Sequence, residues 1–227
     1  MVRPKKYLGQ HFLTDPAIAE RIVKSMSSRD DRVVIEVGPG MGILTKFLMQ
    51  EGLRRFIPIE VDEESYRYLL NEWPELSGEM QLVDILKFDI GSLGEEHLQI
   101  IGNFPYNISS QIFFKVLEQK SIVDEVVCMI QKEVAERLAS PPGSKQYGIL
   151  SVLLQAYYTI EYLFTVKPGS FFPPPKVKSG VIRLTRNSTL HLDCNEKLFF
   201  QVIKMSFNQR RKTIRNSLKT ILLNLPY

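Results

Sequence analysis

From Arg32 onward, short β-branched runs and amphipathic runs alternate along the chain, and a Gly-rich turn follows the first of them. "RVVIEV" leads through "GPGMG" into "ILTKFLMQEG", a helix that Gly52 can close. "RRFIPIEV" reads as a second strand. "DEESYRYLLNEW" reads as a helix capped by Asp62, with acids in its first turn, and it stops before Pro74. "MQLVD" and "LQII" follow as the third and fourth strands, then "SSQIFFKVLEQ" as a helix, "DEVVCMIQ" as a fifth strand and "KEVAERLAS" as a short helix. "GILSVLLQAYY" continues as an apolar helix, "TIEYLFTV" as a sixth strand and "GVIRLTR" as a seventh. This alternation predicts an α/β fold, a parallel sheet with helices on both faces. No helix separates the last two strands, so one of them is expected to run antiparallel.

After "NSTLH" the pattern changes. Residues 195–223 read as two helices without a strand, which places a boundary near residue 187: a main α/β domain over 1–186 and a small helical unit over 187–227. With 227 residues, 44% of them hydrophobic, the chain can bury one full core plus a small appendage. It has no apolar run of about 18 residues, which argues against a membrane span, and its basic start lacks the apolar stretch of a signal peptide. Cys128 and Cys194 have no metal-ligand spacing, so no metal is expected. Two lone thiols suit a reducing, cytoplasmic setting. The net charge of +4 is unevenly spread. After Glu161, twelve Lys and Arg stand against Asp193 and Glu196, a net of +10, which leaves −6 for the rest. A basic C-terminal third on a mildly acidic body points to a polyanionic partner such as nucleic acid.

The strand ends carry the chemistry. "EVGPGMG" places Gly38, Gly40 and Gly42 between a strand and a helix, where a ligand can approach the backbone closely. The spacing is not the G-x-G-x-x-G of dinucleotide binders, which disfavours a nicotinamide dehydrogenase. Glu60 ends the second strand about 20 residues on, where an acid can take both hydroxyls of a ribose. Asp84 ends the third strand, where a carboxylate can accept from an adenine amino group. Three successive strand ends offering Gly, Glu and Asp point to an adenosyl ligand.

The fourth strand ends in Asn103-Phe104-Pro105-Tyr106. This matches the [D/N/S]-P-P-[Y/F] pattern of amino-group methyltransferases, with Phe104 for the first proline. An exocyclic adenine amine is a poor nucleophile because its lone pair is delocalised. The Asn103 amide oxygen and the next main-chain carbonyl can each hold one N–H and aim that lone pair, while Tyr106 stacks on the purine. "GSFFPPPKVKSG" is a second aromatic-proline loop, stiff enough to hold Phe171 or Phe172 as an opposite wall. "FNQRRKTIRNSLK" puts Arg211 and Arg215 on one helical face, with Arg210, Lys212 and Lys219 nearby, a density suited to phosphate contacts.

In combination, "YLGQHFLTD", "EVGPGMG", "IEVD", "GNFPYNIS", "QKEVAERL", "FFPPPKV" and "FNQRRKTIRNSL" resemble the ribosomal RNA adenine dimethyltransferase family, in order from about residue 3 to 222. The first and last are more similar to the branch that modifies small-subunit RNA than to the erythromycin-resistance branch. The resemblance implies a seven-strand Rossmann-like methyltransferase sheet with a small C-terminal helical domain. It implies S-adenosyl-L-methionine as cofactor and S-adenosyl-L-homocysteine as product. It also implies four methyl transfers to the N6 amino groups of two adjacent adenosines in the 3′-terminal hairpin of 16S rRNA, within a small-subunit assembly intermediate, as a step of ribosome biogenesis. A cytoplasmic monomer is expected. Carried over by motif, His11 and Leu13 meet the methionine end or adenosine of the cofactor, Gly38 lies under it, Glu60 takes its ribose and Asp84 its adenine. Asn103 holds the reacting centre, and Tyr106 and Phe171 sandwich the target base. Arg210, Arg211, Lys212 and Arg215 contact RNA. "NFPY" departs from the family's commoner "NLPY", a change that leaves the backbone carbonyl in place. The helical unit is short for the family and is expected to be incomplete, which bears on RNA docking. A large-subunit or DNA adenine methyltransferase, or an assembly factor that acts mainly by binding, are the alternatives.

Overall fold

The computed structural model describes residues 2–28, 31–209 and 211–222. The chain opens with a two-residue strand, β1 (Phe12–Leu13), and helix α1 (Pro16–Val23), whose cap Asp15 accepts from the amides of Ala17 and Ile18. There follow β2 (Val33–Val37), α2 (Thr45–Leu48), β3 (Arg55–Glu60), α3 (Glu63–Glu72), β4 (Gln81–Leu82), β5 (Leu98–Asn103), α4 (Ser109–Glu118) and β6 (Val123–Gln131). The remainder comprises α5 (Lys132–Ala139), α6 (Ile149–Gln155), β7 (Tyr158–Val166), β8 (Phe171–Phe172), β9 (Ser179–Arg186), α7 (Glu196–Asn208), α8 (Ile214–Ser217) and α9 (Lys219–Leu222).

Seven strands form one sheet in the order β4-β3-β2-β5-β6-β9-β7. The pairs from β4 to β6 are parallel, and β9 runs antiparallel to both of its neighbours. The expected antiparallel strand is therefore the seventh, inserted between the fifth and sixth. Strand alternation sorts the core. Val33, Ile35 and Val37 of β2 face one apolar layer with Ile57, Ile59 and Ile100, under α4, α5 and α6. Val34, Phe56 and Ile101 face the other, under α1, α2 and α3. Both faces are covered, which is why these strands read as continuous apolar runs. Pro58 donates nothing to a ladder, and it lies where β3 has no partner on its outer side, since β4 pairs only with Ile59 and Glu60.

Two features differ from the sequence reading. The antiparallel pair β1–β8 lies apart from the main sheet and joins the N-terminal segment to the aromatic-proline loop. Strands of two residues leave no periodic signal. Arg211 and Arg215 also do not share one helix. α7 ends at Asn208, and Thr213 caps α8 by accepting from the Asn216 amide, so Arg211 and Lys212 lie in the turn before α8 rather than on a face shared with Arg215. Phe199, Phe200 and Ile203 of α7 pack against the main apolar layer.

Candidate active site

Because β2, β3, β4 and β5 run parallel, their carboxyl ends fall together. The chain order reverses between β2 and β5, with β3 and β4 to one side and β6 to the other, and a crevice opens there. It is lined by Gly38, Gly40, Glu60, Asp84, Asn103 and Tyr106 from the strand ends, and by His11 and Phe12 from the N-terminal segment. Of the residues expected to hold a cofactor, His11, Gly38, Glu60 and Asp84 are thus brought together, along with Asn103, which is expected at both the cofactor and the reacting centre.

Gly38 has φ +67°, and nothing lies within 4 Å of where a Cβ would stand, so its open side faces ligand space. Gly40 (φ +59°) is glycine for a different reason, because a Cβ there would lie 2.8 Å from the Phe12 ring. Its amide donates to Glu60 Oε2 at 3.0 Å, and Glu60 Oε1 accepts from the amides of Val61 and Asp62, both at 2.9 Å. Three main-chain N–H groups therefore fix one carboxylate that is 3% exposed. Burial pushes its pKa above the usual range, and the three amides act against that rise. Oε1 accepts two amides and Oε2 one, so Oε2 keeps a lone pair for a ligand hydroxyl. Asp84 lies just past β4, where its Oδ1 accepts from the Leu86 amide at 2.9 Å. Val61, Val83 and Ile85 flank the two acids along the crevice. An apolar slot edged by a carboxylate fits a purine that carries an exocyclic amine.

Asn103 ends β5 with its Nδ2 donating to the His11 main-chain carbonyl at 2.8 Å. Its Oδ1 is thereby left as the acceptor. Next to it, the Phe104 ring turns the other way. It is fully buried and lies 6.0 Å from the Phe113 ring, so its side chain is a core anchor, and its amide bonds the Met129 carbonyl at 3.0 Å. The backbone of the loop is fixed by a side chain buried in the core. Tyr106 shares a 2.6 Å hydrogen bond with Ser179 Oγ, and its ring stacks on His11 with centroids 5.5 Å apart. Burial holds the Tyr106 phenol above its ordinary pKa and so neutral, with the Ser179 bond acting the other way. His11 Nδ1 lies 2.7 Å from the Pro173 carbonyl. A carbonyl only accepts, so Nδ1 carries the proton.

Leu13 and Phe171 do not reach the crevice. They are register partners in the β1–β8 pair, each 4% exposed, and both belong to the second apolar layer. The exposed ring is Phe172. Alternation explains the exchange: neighbours on a strand face opposite ways, and Phe171 is the one that points inward. Arg211, Lys212 and Arg215 are solvent-exposed, while Arg210 lies outside the described residues. Sequence reasoning did not find Phe12, Ser179 or the His11 carbonyl. For Ser179 and the carbonyl no local signal exists, since each acts through a partner far along the chain. Val61, Val83 and Ile85 were detectable as the neighbours of two acids already singled out.

With this geometry in view, the relationships are clear. The family model for ribosomal RNA adenine dimethylases matches residues 1–225. The chain is 55% identical over 225 residues to the ribosomal RNA small subunit methyltransferase A of Parabacteroides distasonis, covering 98% of this chain and 83% of that protein. A dimethyladenosine transferase from Plasmodium falciparum superposes with a TM-score of 0.81 at 24% identity, over 96% of this chain and 84% of that one. The 23S rRNA methyltransferase ErmE superposes at 0.74 with 26% identity, over 95% and 85%. A match across 225 of the 227 residues decides the matter: the chain belongs to the ribosomal RNA adenine dimethylase family and is an rRNA adenine dimethyltransferase.

Proposed function

We propose that this enzyme dimethylates the N6 amino groups of two adjacent adenosines in the 3′-terminal hairpin of 16S rRNA, and that its substrate is a small-subunit assembly intermediate. The observation that carries the reading is the oriented Asn103 amide, which lines the same crevice as Gly38, Glu60 and Asp84. S-adenosyl-L-methionine is the cofactor these residues fit, and it supplies an electrophilic methyl group when bound. Gly38 leaves room for it, Glu60 takes its ribose hydroxyls and Asp84 its adenine amino group.

The chain's own part in the chemistry is mainly orientation. Asn103 Oδ1 accepts one N–H of the target amine, and the Phe104 carbonyl accepts the other. Held this way, the nitrogen moves toward tetrahedral geometry and its lone pair is aimed. No strong base is required, because the nitrogen becomes acidic only as it alkylates. Tyr106, fixed by Ser179 and His11, offers its ring to a base turned out of its stack. The basic unit over 187–227 docks RNA through Arg211, Lys212 and Arg215, and residues 1–186 carry catalysis. We infer a cytoplasmic monomer. Among the described residues, no helix is long and apolar enough to cross a membrane.

The test is incubation with labelled S-adenosyl-L-methionine and unmethylated small subunits, followed by nuclease digestion and mass spectrometry. Label on two neighbouring adenosines near the 3′ end of 16S rRNA is the expected result. Label in large-subunit RNA, or none, overturns the reading.

A further inference from the structure

The aromatic-proline loop between β8 and β9 presents groups that the chemistry above does not use. Phe172 is 59% exposed and Val177 46%. Lys176 and Lys178 are exposed beside them, and among the described residues neither forms an ion pair with a carboxylate. The loop is fastened rather than loose. The Pro173 carbonyl accepts from His11, Pro175 is buried, the Lys178 carbonyl accepts from the Lys132 amide at 2.9 Å, and Ser179 holds Tyr106. Phe172 is the register partner of Phe12, which lines the crevice, and cross-strand partners share a face. An exposed ring therefore stands one strand away from the crevice wall, on a rigid support, and the loop that follows it carries two exposed lysines without a carboxylate partner among the described residues.

We propose that Phe172, Lys176 and Lys178 form a subsite for the nucleotide next to the target adenosine, Phe172 stacking on its base and the two lysines meeting the phosphates. The inference rests on the proposed substrate. An enzyme that modifies two adjacent adenosines through one crevice must hold the second base while the first reacts. A stacking face with unpaired cations is the chemistry of single-stranded RNA binding, and it reads no sequence of its own. Phe172 faces solvent outside the crevice, which suits a neighbouring base rather than the reacting one.

The test uses the full chain and a short single-stranded RNA containing adenosine beside 2-aminopurine. Wild type should quench the 2-aminopurine fluorescence. Phe172→Ala should abolish the quenching and raise the Kd for RNA about 5- to 100-fold, with melting temperature and affinity for S-adenosyl-L-homocysteine unchanged. Phe172→Trp should restore both. Lys176→Ala with Lys178→Ala should lower the slope of log K against log salt by about 1.4. On small subunits, Phe172→Ala should leave more singly modified RNA than wild type does. Unchanged quenching and Kd in Phe172→Ala, or equal losses of RNA and cofactor affinity, would overturn the subsite. If wild type itself leaves small subunits unmethylated, the functional reading falls, while the fluorescence and salt measurements still decide the role of this loop.

Discussion

The Asn103 side chain donates to the main-chain carbonyl of His11 at 2.8 Å, across 92 positions of sequence. One hydrogen bond thereby joins the N-terminal segment to the end of β5 and sets which atom of the amide faces the crevice. On the proposed reading, removing the amide removes an acceptor for the target amine and leaves Gly38, Glu60 and Asp84 in place. Asn103→Ala should lower kcat about 100- to 1,000-fold, while affinity for S-adenosyl-L-homocysteine by calorimetry stays close to wild type. Equal losses in the two quantities would move Asn103 from the target amine to the cofactor.

Gly38 and Gly40 both have positive φ, yet they should fail in different ways. A methyl group on Gly38 enters ligand space, whereas one on Gly40 meets the Phe12 ring. Each substitution also bears a backbone strain of about 1–2 kcal/mol. Gly38→Ala should weaken cofactor binding more than it lowers the melting temperature. Gly40→Ala should show a clear loss of thermal stability as well. Calorimetric titration and thermal unfolding of both variants check this, and interchangeable behaviour would contradict the geometry.

Glu36 supplies a pH dependence. It is 1% exposed on β2, with Thr45 Oγ1 donating to its Oε2 at 2.7 Å. Burial pushes its carboxyl up to about 8, with Glu60 adding to the rise and the Thr45 bond acting against it. An unfolded glutamate titrates near about 4.3. Below that value both states hold the proton and the group costs nothing. Between there and about pH 8 the folded protein keeps a proton that the unfolded chain has lost, so stability falls as pH rises and then levels off. Glu36→Gln removes the titration. The variant should melt close to wild type at pH 5 and several degrees above it at pH 8.5. Parallel curves of Tm against pH for the two proteins would exclude Glu36 as the source.

Arg211 and Arg215 are exposed on either side of the Thr213 cap. Arg211→Ala with Arg215→Ala should weaken RNA binding most at low salt and reduce the salt slope by about 1–2, with cofactor affinity unchanged. Unchanged RNA affinity at low salt would remove this segment from the docking surface.

Much of this was legible in the strands themselves. β-branched runs with apolar residues on both faces required a covered parallel sheet, and acids at successive strand ends had to converge once those strands lay side by side. Glu60, Asp84 and Asn103 follow from that alone. The reading failed where two neighbouring residues were chemically alike. "FF" at 171 and 172 carries no information about which ring points inward, and the structure buries the first and exposes the second. It failed again in placing Arg211 and Arg215 on one helical face, because Thr213 caps a new helix between them.

By itself, then, the sequence determined the α/β alternation, the glycine turn and the order of polar groups along the strand ends, because those depend on side-chain period and on parallel packing. Tertiary structure decided which of those groups are oriented. Glu60 is held by three amides from two different segments, Asn103 by the carbonyl of His11, and Tyr106 by a serine 73 positions away. The bonds at Asn103 and Tyr106 join atoms whose closeness no local pattern encodes. They exist only once the N-terminal segment and the aromatic-proline loop have closed over the ends of the sheet.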